Sequence, residues 1–127
     1  MKGISFWFIF LATLFALAGM AYGIKMGISD DHFLAPAHAH NNLVGWVTLA
    51  LYGLFYAVVP QAGTGKLAFA HFWLALTGAL CMGPGIAMSM LDKGAGLVIF
   101  GSIVTILGML AFSINVYRHR QALPDRG

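Results

Sequence analysis

The sequence is poor in cysteine and in charge. Its 127 residues include one cysteine, Cys81, and only 9% of the residues are charged, with seven Lys and Arg against four Asp and Glu. A single cysteine excludes a disulfide within the chain and a thiolate metal cluster, so we interpret Cys81 as a small packing residue. So few charged side chains exclude a water-soluble domain.

The sequence also lacks the residue groupings that common enzymes use. It contains no carboxylate pair placed for acid–base catalysis, no nucleophile with a neighbouring base and no glycine-rich phosphate loop. The basic residues lie near the expected membrane boundaries, where they set orientation and meet lipid headgroups rather than nucleic acid. The sequence therefore favours electron transfer or ligand binding over catalysis.

Hydrophobic residues dominate what is present. They make up 60% of the chain, and the mean hydropathy is +0.83. Because each membrane crossing needs roughly 20 apolar residues, the sequence predicts an all-α integral membrane protein of one domain, residues 1–127, with four transmembrane helices. The predicted helices span residues 4–24, 36–59, 67–90 and 97–117, and a polar tail that we expect to be partly disordered covers residues 118–127.

The first apolar segment also has features of a signal peptide, since Lys2 precedes an apolar run with small residues after it. The run continues to Ile24, which is longer than the core of a typical signal peptide. We therefore interpret residues 4–24 as the first transmembrane helix.

The distribution of Lys and Arg predicts the orientation in the membrane. One side of the predicted helices carries Lys2, Lys66, Arg118, Arg120 and Arg126, and the other carries Lys25 and Lys93 together with Asp30, Asp31 and Asp92. Because basic residues favour the cytoplasmic side, both termini are expected in the cytoplasm, across a bacterial inner membrane. The second helix then starts at the periplasmic face.

Two histidines, His38 and His40, lie near the start of this second helix. Ionisable residues are costly there and are usually functional. Two positions on an α-helix are about 200° apart, so the two imidazoles cannot easily bind one metal together and would serve two centres. We interpret the remaining histidines, His32, His71 and His119, as polar residues of the membrane boundary.

Glycines at regular spacing indicate close helix packing, within the chain or between subunits. These are Gly19, Gly23 and Gly27 in the first helix, Gly45 and Gly53 in the second, and Gly101 and Gly108 in the fourth. In the second helix a glycine would also let a flat macrocycle lie against the backbone. The sequence does not choose between these alternatives.

Two neighbouring motifs resemble the tenth and eleventh helices of the catalytic subunit of haem-copper oxidases and nitric oxide reductases. The first contains His38-Ala-His40, Gly45, Phe55-Tyr56 and Pro60, and the second contains His71-Phe-Trp-Leu74, Gly78 and Pro84. The resemblance covers about half of the chain. It implies a fold like one four-helix arc of that subunit.

In that family the two histidines of the first motif bind two different haems, and the position matching His71 is not a haem ligand. The resemblance therefore implies that His38 and His40 are axial ligands of haem b iron, with Gly45 and Trp46 beside the macrocycle. Asn41, Asn42 or a backbone carbonyl of the preceding loop would fix the imidazole tautomers. An interfacial membrane anchor is an equal interpretation of Trp46.

The chain departs from the family because it has no copper-site histidines and no second helix that supplies an opposite axial ligand. The family subunit has three four-helix arcs, and three copies of this chain would restore its twelve helices. A cyclic homotrimer would place one haem between two imidazoles at each subunit boundary.

The sequence thus predicts a membrane haem protein of the redox or gas-ligand type. One alternative is an accessory or assembly subunit that docks beside a larger oxidase or denitrification enzyme and holds no stoichiometric haem. Another is a membrane protein that binds copper at the same histidines. Membrane lipid is a partner in each case, and no nucleic acid is.

Overall fold

The computed structural model describes residues 1–122 and has four helices long and apolar enough to cross a membrane, which confirms the prediction of four such segments. The helices are α1 (Ile4–Ser29), α2 (Ala35–Val58), α3 (Lys66–Met90) and α4 (Gly96–Arg118), and a short 3-10 helix, Pro60–Gly63, links α2 to α3. The final part of the polar tail, residues 123–127, lies outside the described residues, so the prediction of disorder is not tested there.

The first helix extends five residues beyond its predicted end at Ile24. It stops where Asp30 adopts the left-handed conformation, with φ 54°, a geometry that Asp tolerates better than most residues. The Asp31 carboxylate then accepts a hydrogen bond of 3.0 Å from the Phe33 backbone N–H, which shapes the turn into α2. Pro36 follows in the first turn of α2, where its missing N–H costs little.

A wide turn interrupts the regular winding of α2. Residues Asn41–Thr48 form a π-helix of eight residues directly after the histidine pair, between α-helical segments Ala35–His40 and Leu49–Val58. π-Helical turns are rare in proteins, and many of those that occur lie at functional sites. No residue pattern predicted this segment, because its residues are compatible with ordinary α-helix.

The third helix continues through Pro84. The proline removes a donor to the preceding turn but does not end the helix. Next to it, Gly85 lies against α4 so closely that a Cβ there would come within 2.7 Å of the Val98 backbone nitrogen. The glycine therefore permits the close approach of α3 and α4, which form the most extensive contact in the bundle.

Most of the glycines named above pack inside the chain. An added Cβ would meet a residue of another helix at Gly19, Gly23, Gly45, Gly53, Gly101 and Gly108. Only Gly27 of this set has open space beside it. All of these glycines except Gly27 therefore lie at helix contacts within the chain.

The core of the bundle contains two kinds of residue. Alanines let the helices approach one another, and a cluster of rings fills the end of the bundle near the chain start, with Phe8, Tyr52 and Tyr56 almost completely buried. Large apolar side chains cover the outside, including Ile28 (83% exposed) and Ile106 (68% exposed). Such a surface matches surrounding lipid rather than water.

The helices alternate in direction, so basic residues that are far apart in the sequence lie at the same end of the bundle. The segment around Lys2 borders the Pro60–Gly63 link, and the end of α4 reaches the same link through a hydrogen bond from Asn115 to the Ala62 carbonyl. The α1–α2 turn and Leu91, after α3, meet at the opposite end. Histidines 38 and 40 lie near this second end.

Candidate functional site

The first helical segment of α2 positions both candidate ligands. His38 and His40 are both half-buried, and their side chains have different surroundings. The His38 ring lies beside α1, with its Cε1 3.5 Å from where a Cβ of Gly23 would be and its centroid 5.9 Å from the Tyr22 ring. The His40 ring instead hydrogen-bonds within its own helix.

The His40 imidazole is held by the backbone one turn earlier. Its Nδ1 lies 2.9 Å from the Pro36 carbonyl oxygen, and because a carbonyl only accepts, Nδ1 carries the proton and donates. Nε2 is then left with a lone pair, and it has no hydrogen-bond partner among residues 1–122. Metal-bound histidines have this arrangement, with the second ring nitrogen donating to a carbonyl or carboxylate.

The His38 imidazole belongs to a chain of amides that we call the His38 network. Asn41 Nδ2 donates to the Phe15 carbonyl of α1 at 3.2 Å and to Asn42 Oδ1 at 3.5 Å. Asn42 Nδ2 lies 3.2 Å from His38 Nε2, and because an amide nitrogen only donates, Nε2 accepts this hydrogen bond. The neutral His38 ring therefore carries its proton on Nδ1.

His38 Nδ1 is buried and has no hydrogen-bond partner within residues 1–122. Unsatisfied buried polar atoms are uncommon and call for an explanation. Two cavities, of about 350 and 330 Å³, border this side chain. One lies between α1, α2 and α3, and the other is lined by Gly19, Asn42 and Trp46 as well as His38. Trp46, a predicted site residue, therefore shares a cavity with His38.

Gly45, the other predicted site residue, is buried against α1. An added Cβ there would overlap the ring of Phe15, whose carbonyl accepts the hydrogen bond from Asn41. Gly45 therefore brings α1 and α2 together beside the His38 network.

The histidine of the second motif lies in the core, at the other end of the bundle. His71 is 0% exposed, so our interpretation of it as a polar residue of the membrane boundary is wrong. Its Nδ1 accepts a hydrogen bond of 2.7 Å from the Tyr56 hydroxyl, which in turn accepts one of 3.0 Å from Asn115 Nδ2. Asn115 also donates to the Ala62 carbonyl at 2.9 Å, and we call these four residues the His71 network.

Sequence reasoning missed this network, although one signal was present. Asn115 is a lone amide in an apolar helix, and such a residue usually finds a hydrogen-bond partner on a neighbouring helix. Phe8, Tyr52 and Phe112 surround the His71 ring, with centroids 4.4 to 5.3 Å away. The Tyr56–His71 bond also joins the two sequence motifs described above.

The other two histidines lie outside the bundle core. His32 sits in the exposed turn before α2, 3.9 Å from an Asp30 carboxylate oxygen, and His119 Nδ1 bonds the Asn115 carbonyl just after α4. Over residues 1–122, no three side chains of His, Cys, Asp or Glu cluster in a way that would hold a metal ion.

Comparison with known proteins gave no further identification. No family model, no curated protein and no solved structure matches the chain. The fold and the site define a bundle of four helices long and apolar enough to cross a membrane, with a histidine pair at one end.

Proposed function

We propose that this chain is a membrane haem b-binding protein of the redox or gas-ligand type, related to the haem-copper oxidase catalytic subunit. His38 and His40 would each bind iron at a different boundary between protomers of a homotrimer. When bound, haem iron supplies one-electron chemistry and binding of diatomic gases.

The observation that carries the proposal is the state of the His40 ring. The Pro36 carbonyl holds its Nδ1 proton, and Nε2 keeps a free lone pair with no partner in the described chain. A ring nitrogen with a free lone pair and a proton fixed on the other nitrogen is ready to bind a metal, and a haem iron at Nε2 would account for this arrangement.

The residues near His38 also fit a flat ligand beside the helix. Two cavities border its ring, and Trp46 lines one of them. The π-helix that follows the pair is typical of functional sites. What this chain would contribute is an imidazole fixed in its tautomer and a largely apolar surrounding.

The trimer accounts for the missing second ligand. Each haem would take His40 from one protomer and His38 from the next, so that one repeated head-to-tail interface closes the ring. Both termini would face the cytoplasm of a bacterial inner membrane, since Lys2, Lys66 and Arg118 lie at one end of the bundle, and the haem would lie near the periplasmic face.

The test is a reduced-minus-oxidised absorption spectrum of the protein purified in detergent, with iron counted per chain. We expect a b-type spectrum, about one iron atom per chain and the mass of a trimer, as one haem per interface requires. His40→Ala and His38→Ala should each lower the haem content severalfold. His32→Ala is the matched control, because His32 lies in an exposed turn, and it should leave the haem content unchanged.

Other outcomes would point away from the proposal. A monomer without a Soret band would contradict it, and co-purification of a larger oxidase would then favour an accessory subunit. Copper in place of iron in elemental analysis would favour the copper protein. If haem is present, spectra with and without carbon monoxide distinguish a redox protein from a gas-ligand protein. Iron with both axial positions filled resists the added ligand.

A further inference from the structure

The two candidate imidazoles differ in what their Nε2 atoms contact. His40 Nε2 has no hydrogen-bond partner in the described chain, whereas His38 Nε2 accepts a hydrogen bond of 3.2 Å from Asn42. A metal ion and an N–H donor need the same lone pair on this nitrogen. Binding of metal at His38 therefore requires the Asn42 amide to move away.

Packing against α1 holds Asn42 in this position. Its amide lies where a side chain at Gly19 would be, and an added Cβ there would overlap Asn42 Oδ1. The Asn41 amide, itself bonded to the Phe15 carbonyl, orients the Asn42 amide so that its nitrogen faces His38. The geometry thus presents a donor, and not an acceptor, to His38 Nε2.

We propose that Asn42 is a positioning residue that occupies the metal-binding nitrogen of His38 and sets how readily His38 ligates iron. This inference rests on the proposed haem function. His40 would be the permanent ligand, and His38 a ligand that binds only when Asn42 releases it. The iron would then have a position that opens and closes, as binding of a gas requires.

The surroundings leave room for this exchange. Cavities of about 350 and 330 Å³ border the His38 side chain, and Asn42 lines the second of them. The bond from Asn41 that orients Asn42 is long, at 3.5 Å. Because single hydrogen bonds between polar side chains in membranes are weak, removing the Asn42 donor should shift His38 ligation by about threefold to tenfold.

The hydrogen bond from Asn42 to His38 Nε2 is tested on the metal-free protein by nitrogen NMR of labelled histidine. We expect His38 as the tautomer with its proton on Nδ1 in the wild type, and a mixture of tautomers in Asn42→Ala. A wild-type His38 that carries its proton on Nε2 would overturn the inference, whether or not the protein binds haem.

The effect on the metal is tested by titration with ferric protoporphyrin and by carbon monoxide binding to the reduced form. Asn42→Ala should raise the six-coordinate low-spin fraction and weaken carbon monoxide binding by about threefold to tenfold. Asn42→Asp, which presents only acceptors and favours a proton on Nε2, should act in the opposite direction. Neither change should have an effect in a His38→Ala background.

The outcomes separate this inference from the function on which it rests. Haem binding that depends on His40 but is indifferent to Asn42, or that shifts the same way in both variants, would overturn only the role of Asn42. Absence of binding in the wild type and in Asn42→Ala would overturn both. Binding by Asn42→Ala alone would support an Asn42 that holds His38 firmly.

Discussion

The His38 network and the His71 network have similar chemistry but different surroundings. Each joins an imidazole to an asparagine amide and ends on a backbone carbonyl, of Phe15 in one and Ala62 in the other. Aromatic rings enclose His71, whereas two cavities border His38. Aromatic packing around His71 stabilises the bundle, whereas His38 lies beside space that a ligand could enter.

Removing each imidazole in turn is the strongest test of this comparison. His71→Ala leaves a cavity among aromatic rings and strands the Tyr56 hydroxyl, so we expect a loss of about 3 to 5 kcal/mol in the free energy of unfolding. His38→Ala should cost far less stability but lower the haem content. Thermal unfolding in detergent and haem content per folded chain measure the two effects, and an equal loss of stability in both variants would contradict the contrast.

A smaller change tests whether the His71 network is held by its central hydroxyl. Tyr56→Phe leaves His71 Nδ1 and one Asn115 N–H buried without a partner, which should cost about 1 to 3 kcal/mol. Tyr117→Phe is the control, because the Tyr117 side chain is 67% exposed and should tolerate the change. Denaturant or thermal unfolding of the two variants decides the question, and similar stabilities would show that packing alone holds His71.

A substitution with the smallest expected effect tests the packing of the His38 network against α1. Gly19→Ala places a methyl group where the Asn42 amide lies, so it should cost about 1 kcal/mol and free His38 from its hydrogen bond. Gly27→Ala, two turns along the same helix with nothing within 4 Å of the new atom, should be neutral or slightly stabilising. Thermal unfolding and the nitrogen NMR of His38 report the difference, and identical behaviour of the two alanines would contradict the packing described here.

The helices were predictable from the sequence because the apolar runs are long and the turns between them are polar. The prediction placed the end of the first helix too early, since the run becomes less apolar after Ile24 while the backbone continues to Ser29. Local chemistry decides that end, through the left-handed geometry of Asp30. Packing within the chain was one of the alternatives for the glycines. Only the positions of the neighbouring helices show that most of them pack in this way.

The candidate site was predictable only in part. The spacing of His38 and His40 predicted different surroundings for the two rings. The sequence also indicated Asn42 as a candidate hydrogen-bond partner of the imidazoles. It did not indicate that Asn42 bonds the nitrogen that a metal would use, because that depends on Gly19 of a different helix. The burial of His71 was missed for the same reason, since its partners come from three other segments of the chain.

The π-helical segment of α2 lies between the histidine pair and the tyrosines of the aromatic core. An ordinary α-helix advances about 100° per residue, so a single added residue rotates everything beyond it by that angle. Deleting one residue from Asn41–Thr48 would rewind this stretch and swing the histidine end relative to Tyr52 and Tyr56. The winding of this segment therefore sets the direction in which the two imidazoles point relative to the aromatic core.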